Sequence, residues 1–382
     1  MAGERVAIIG GGIGGMCTAR ALQIRGIKAE VYEKGTQSNL SSGPGLILGG
    51  NALKALDALG VGTDIRKAGV SSDSFTIYSE WGRSIADLNC RSQKDSTAFL
   101  FILPEDFLAI LKASLSPGTL HYQKELIDFE DNDHNIHLIF KDGTAVSCDY
   151  LIGCDGKHSF LRSRLLPDIK LKFSGYTAWR GVLDPDCDAR ALYTETWGPR
   201  GRFGTVPLPD GRLYWYAIKK IAPDGASYEK WASLDLLFNF FSYHEHIQRI
   251  LEKTEDKHIV RHDLYELEPL RQYLIGRILL LGDSAHAAHA DLGQGASQAI
   301  EDSICLAKRV KQGHPLKDSF RQYEQDRLSR TSQVAQEMKL FRKTAQLEKP
   351  FLCVLRNILL KLLPAKFHEN RLKNLFEIET SY

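Results

Sequence analysis

The tightest constraint on this chain is the stretch Gly10-Gly11-Gly12-Ile13-Gly14-Gly15, set between two apolar segments. Val6–Ile9 is a short apolar run of the kind that forms a buried parallel strand. Ile13–Arg25 carries Met16, Ala19, Ala21 and Leu22 at helical spacing, Gly26 ends it, and Lys28–Tyr32 reads as a second strand. Within this GxGxxG, Gly10 permits a tight turn, Gly12 lets a pyrophosphate approach the backbone at the helix N-terminus, and Gly15 lets helix and strand pack closely. Glu33 ends the second strand, 23 residues after Gly10, where an acid accepts a hydrogen bond from a ribose hydroxyl. A glycine turn used for packing alone does not account for the acid at that strand end, so the unit predicts a dinucleotide site.

The rest of the chain reads as a mixed α/β protein. Residues 51–68 form a helix with Ala52, Leu53, Leu56 and Leu59 on one face; Ser71–Ser79 is a strand, and Glu105–Leu115 a helix after Pro104. His121–Asp149 is a meander of alternating strands, and Tyr150–Gly153 is again a buried strand. From Lys170 to about Arg261 aromatic residues are dense and turns frequent, predicting an antiparallel sheet with a helix over Ser233–Lys253. Arg277–Leu281 is another buried strand, followed by a helix from Ala296 to about Gln312, a long charged helix over 316–347, and an amphipathic stretch, 351–376, broken at Pro364. The expected units are 1–169 and 266–315 as a Rossmann-like lobe, 170–265 as an inserted β-rich substrate lobe, and 316–382 as C-terminal helices.

Two further motifs close strands in the same way. Cys154-Asp155-Gly156, with Ser159 and Arg162, follows Tyr150–Gly153; Gly282-Asp283-Ser284-Ala285-His286, with Gly293-Gln294-Gly295-Ala296, follows Arg277–Leu281. The three motifs in this order resemble the FAD-dependent aromatic-hydroxylase family, the para-hydroxybenzoate-hydroxylase type of flavoprotein monooxygenase. The resemblance covers nearly the whole chain and includes Gly175–Gly181 and Arg202-Phe203-Gly204, which look like the urate and salicylate hydroxylases and carotenoid epoxidases. It implies FAD held by Gly10, Gly12, Ile13, Gly14, Gly15, Glu33, Lys34, Asp155, Asp283, Gly293, Gln294, Gly295 and Ala296. It also implies NAD(P)H as co-substrate and O2 activation through a flavin C4a-hydroperoxide, which hydroxylates or epoxidises a planar aromatic or polyene-like small molecule. Substrate contacts are expected from Arg202, Tyr216 and His289. Four positions depart from the family pattern: Gly50, Pro104, Ala290 and Ser297. They keep two alternatives open, a reductase or dehydrogenase of the same fold without oxygen transfer, and a low-turnover flavin-binding sensor or partner protein.

Single residues leave choices. His286 reads as a buried support for its loop. Arg202 either pairs with an anionic or enolised substrate or forms a surface ion pair at a strand start. Tyr214 and Tyr216 share one strand face and Trp215 takes the other. His244, His246 and His258 lack metal-ligand spacing, and no G-x-S-x-G nucleophile elbow occurs. With 49 basic and 47 acidic residues the chain has no overall basic surface for nucleic acid. Seven cysteines without a CxxC, and no evident secretory leader, predict reduced thiols in the cytoplasm. The 351–376 stretch either packs on the core or touches a membrane surface peripherally.

Overall fold

The apolar run Val6–Ile9 does become the centre of a parallel sheet. In the computed structural model, which describes residues 4–37, 45–89, 99–132, 134–185, 192–221, 228–287, 293–310 and 314–378, Val6 aligns with Ala29 on one side and Tyr150 on the other. The six-stranded sheet runs Leu274–Ile275, Ile278–Leu280, Tyr150–Gly153, Val6–Ile9, Ala29–Tyr32, Leu120–His121, parallel except for the first strand. Ile8, Val31, Leu151, Ile152, Leu279 and Leu280 are fully buried, as strands covered on both faces require. Helices Ile13–Ile24 and Gln294–Arg309 pack together, and the meander Leu126–Asp131, Ile136–Phe140, Ala145–Cys148 forms its own antiparallel sheet.

A seven-stranded sheet lies beyond, in the order Val260–Glu266, Lys172–Leu183, Leu213–Lys220, Gly201–Pro207, Thr194–Gly198, Ser74–Ser79, Ser84–Asn89. Its last two strands come from outside the 170–265 segment, and Thr194–Gly198 pairs with Ser74–Ser79 in parallel; its other pairings are antiparallel. A small sheet of Leu46–Gly49, Phe99–Ile102 and Val70–Ser72 sits between the two larger ones. The architecture is the α/β arrangement expected: a Rossmann-like lobe, a β-rich lobe and C-terminal helices.

Three predicted elements divide. The 51–68 helix is two, Gly50–Ala58 and Gly62–Ala68, because Gly60 turns the chain at φ +77. The 71–79 strand breaks at Asp73, where the Ser72 hydroxyl donates to the Ser74 carbonyl (2.8 Å), and its halves join different sheets. The 233–253 helix is Ser233–Asn239 and Glu245–Lys253; between them Phe240 and Tyr243 turn into the core, and the Tyr243 hydroxyl donates to the Gly201 carbonyl (2.7 Å). The long helix spans Leu316–Ala345, and Pro364 separates Pro350–Leu362 from Ala365–Phe376. No helix among the described residues is long and apolar enough to cross a membrane.

Candidate functional site

Three neighbouring parallel strands end together, and each ends in one of the three motifs. The loops are stitched by backbone contact. A β-carbon on Gly10 (φ +105) would lie 2.3 Å from the Cys154 carbonyl oxygen, and one on Gly15 would lie 1.9 Å from that of Gly10. The Leu281 amide donates to the Gly153 carbonyl (2.9 Å), as does the Ser284 hydroxyl (2.6 Å). Arg162 crosses the gap: its guanidinium donates to the carbonyls of Lys157 (2.5 Å), Asp283 (3.4 Å) and Ser284 (2.9 Å). Asp155 accepts the Leu161 amide through Oδ2 (3.1 Å). Ligands of open α/β sheets bind at such carboxyl ends.

Above this weave lies open space. A β-carbon on Gly12 would meet nothing within 4 Å, and the same holds for Gly295 at the start of Gln294–Arg309. Gly14 faces Ala299 at 3.5 Å, so Ile13–Ile24 and Gln294–Arg309 bring their N-terminal ends close. Ile13 and Ala296, in those first turns, are half-buried. The Glu33 carboxylate accepts the amides of Gly11 and Gly35, each at 2.7 Å, and retains lone pairs for a hydroxyl; Lys34 beside it is exposed. Asp155 Oδ1 and Gln294 Nε2 are among the buried polar atoms without a hydrogen bond to the described residues. An acid at one end, an open glycine cradle between, and a helix N-terminus with an unsatisfied amide beside it fit FAD laid out along the strand ends.

The second loop is held by a buried charge cluster that sequence reading did not identify. Asp302 accepts the Gly282 amide (2.8 Å), His286 Nε2 (2.7 Å) and Arg327 Nε (2.5 Å), and Arg327 also bridges to Glu301. Burial alone raises a carboxyl's pKa; at Asp302 the Arg327 guanidinium and His286 outweigh it and hold the group below its ordinary range. At Asp283 burial wins instead and pushes the carboxyl up, against the pull of His286, Lys157 and Arg162 nearby. His286 thus supports the loop through Asp302.

Three of the family departures have a physical reason. A β-carbon on Gly50 would sit 3.2 Å from Cβ of Phe376, so glycine makes room for the end of the last helix. Ser297 accepts the Gly49 amide (3.1 Å) and donates to the Gly293 carbonyl (2.9 Å), tying the strand Leu46–Gly49 to the loop. Pro104 is the first residue of the helix Pro104–Ser114, a position that needs no amide. Ala290 and His289 lie outside the described residues.

Gly293 connects loop to roof. At φ +67 its β-carbon would strike the Ile47 carbonyl at 2.6 Å, and Ile47 packs in the cluster containing Tyr214, Tyr216, Val334, Met338 and Phe341. Arg202 is 1% exposed, which removes the surface-pair reading. Its guanidinium lies 3.5 Å from the Glu195 carboxylate, likewise buried, and 5.5 Å from the Phe341 ring. Glu195 also accepts the Tyr216 hydroxyl (3.0 Å) and Trp197 Nε1 (2.5 Å). Burial, then the Glu195 charge, hold the Tyr216 phenol well above its ordinary pKa, so it remains a donor. Gly204, opposite Tyr216 on the next strand, leaves space for that ring, whose Cζ would be 2.1 Å from a β-carbon. The sequence suggested Arg202 and Tyr216 but gave no sign of Glu195, which only strand pairing brings to them. Trp215 points the other way, stacked on Phe203 at 5.3 Å. A separate cavity of about 620 Å³ opens beside the second loop, with His286, Ala287 and Gln298 on one wall and Val334, Met338 and Arg342 on another.

Comparison with known proteins agrees with this geometry. Residues 4–338 match the family described as FAD binding domain. Aurachin C monooxygenase/isomerase of Stigmatella aurantiaca is 32% identical over 364 residues, covering 94% of each chain. 6-Hydroxynicotinate 3-monooxygenase of Bordetella bronchiseptica is 29% identical over 347 residues, covering 86% of this chain and 89% of the relative. Klebsiella pneumoniae HpxO complexed with FAD and uric acid shares the fold, with a TM-score of 0.84 at 21% identity over 97% of this chain and 96% of that one. The chain belongs to the FAD binding domain family and, within it, to the FAD-dependent monooxygenases.

Proposed function

We propose that the protein uses NAD(P)H and O2 to hydroxylate or epoxidise a planar, uncharged aromatic or polyene-like small molecule in the cytoplasm. The observation that carries the substrate class is the Arg202–Glu195 pair: the one cation expected to recognise an anion already faces a buried carboxylate. Bound FAD supplies the reduction and the activation of dioxygen. The chain's own residues bind, orient and shield. Glu33 holds the ribose end, the Gly12–Gly15 backbone holds the pyrophosphate, and Asp155, Asp283 and the Gly293–Ala296 turn hold the remainder. Tyr216 and Arg202 orient the substrate from the roof, and the aromatic packing of Tyr193, Trp197, Tyr214 and Phe341 around them excludes water. His289, four residues before Gly293 in the sequence, is the third substrate contact of this proposal. The proposed division gives residues 1–169 and 266–315 to the cofactor, and 170–265 to the substrate with the strands of 74–89.

The test is NAD(P)H oxidation by the FAD-loaded protein across matched pairs of neutral and carboxylated aromatics. Faster oxidation with neutral members, with an oxygenated product, supports the reading. Oxidation without oxygenated product selects the reductase alternative, and no oxidation at all selects the flavin-binding one. Stimulation by the carboxylated members alone overturns the substrate class.

A further inference from the structure

The helix Pro350–Leu362 has its amphipathicity reversed. Its protein-facing side carries Cys353, Arg356 and Asn357, all buried. Arg356 donates to the carbonyls of Thr344 (3.2 Å), Ala345 (3.1 Å) and Trp197 (3.3 Å) and lies over the Trp197 ring at 5.3 Å. The outward side carries Phe351, Leu355, Ile358, Leu359 and Leu362, exposed to 74, 44, 52, 55 and 74%. Those positions recur at helical spacing, so they form one continuous apolar stripe. A helix on a soluble surface shows the opposite arrangement, and stripes of this kind mark a surface that meets something apolar.

Charge identifies what it meets. Pro350–Leu362 contains no carboxylate, and the exposed Lys349 and Lys361 stand at its two ends. Residues 349–376 hold six basic residues and one acidic; the remainder of the chain holds 43 basic and 46 acidic. Of the six, Lys349 and Lys361 are exposed at the two ends of the stripe, whereas Arg356 is buried on the other side of the helix. A seam between two copies would bring lysines together with no acid on this helix to receive them. Thirteen residues at ~1.5 Å each give about 20 Å, too short to span a hydrocarbon core of about 30 Å but suited to lying along its surface.

We propose that the helix Pro350–Leu362 lies flat on an anionic lipid bilayer, its stripe among the acyl chains and Lys349 and Lys361 at the phosphates. The inference stands whether or not the substrate reading holds.

The experiment is sedimentation of the full, FAD-loaded chain with vesicles of phosphatidylcholine, with and without phosphatidylglycerol, at about 0.1 M salt. Binding to the phosphatidylglycerol vesicles is expected, with weaker binding to phosphatidylcholine alone. Ile358→Asp with Leu362→Asp should reduce binding more than about tenfold. Lys349→Gln with Lys361→Gln should reduce it about fivefold per lysine. Both pairs are exposed, so FAD content and thermal midpoint should match the parent and report any misfolding. The proposal is overturned if the parent fails to bind phosphatidylglycerol vesicles at excess lipid, or if both double variants bind as the parent does. It is equally overturned if ultracentrifugation finds a dimer that Ile358→Asp dissolves, which assigns the stripe to a second copy.

Discussion

A β-carbon at Gly10 or Gly15 would overlap a carbonyl oxygen, at 2.3 and 1.9 Å, whereas at Arg202 a whole guanidinium is buried against Glu195 and Phe341. The first region is built by what its side chains lack, and its contacts lie within strands adjacent in the sheet. The second is built by what its side chains carry, and its partners meet only through the register of three strands. Backbone proximity restricts the residue to glycine, which a sequence displays. Charge compensation restricts only the pair, which a sequence does not.

The largest effect should come from the glycine weave. Gly15→Ala forces a shift between strand and helix and should cost more than about 3 kcal/mol of stability, read by denaturant melts. A parent-like melt would mean the loop has slack that these contacts deny.

The roof should respond less and in a way that the weave does not. Arg202→Met leaves Glu195 buried without its cation and should cost about 2–4 kcal/mol; adding Glu195→Gln should recover most of that loss. FAD content should stay at the parent level in both proteins, while the apparent substrate dissociation constant should rise about 10–100-fold. Loss of flavin in Arg202→Met would place this residue with the cofactor instead.

The smallest effect concerns pH. Burial, then the neighbouring His246, push His244 from 6.5 down to about 4, and its ring shares a hydrogen bond with Thr196 (2.9 Å). A depressed folded value means the unfolded chain takes the proton first. The stability involved is therefore complete above pH 6.5 and declines as pH falls toward 4. His244→Asn should flatten the fall in thermal midpoint across that window and leave the midpoint's pH dependence above 7 unchanged. An identical slope in parent and variant would reject the assignment.

The same contrast explains what could be read without coordinates. The βαβ unit, Glu33 at its strand end, Asp155 and Asp283 each following a buried strand, and Tyr214 and Tyr216 sharing a face all follow from local period and turn chemistry; that Asp155 and Asp283 serve one cofactor came from the family resemblance. The break at Asp73 was hidden because one hydroxyl, that of Ser72, bends a run that alternates well on both sides. The separation at Gly60 was legible as a stop but not as a restart. Strands 74–79 and 84–89 joining the distant sheet left no local mark, and neither did Asp302, whose importance depends on Arg327 arriving from another helix. The stripe on Pro350–Leu362 was visible as amphipathic; which side faces the core was not, because Arg356 is buried against the usual preference of arginine.

The account rests on the open space over Gly12 being the seat of the FAD pyrophosphate, and Gly12→Ala tests it with one methyl group. The new β-carbon meets no protein atom within 4 Å, so the apoprotein's stability should change by less than about 1 kcal/mol. The FAD dissociation constant, titrated by fluorescence quenching, should nonetheless rise at least about tenfold. Unchanged FAD affinity in a stably folded Gly12→Ala protein would contradict the account.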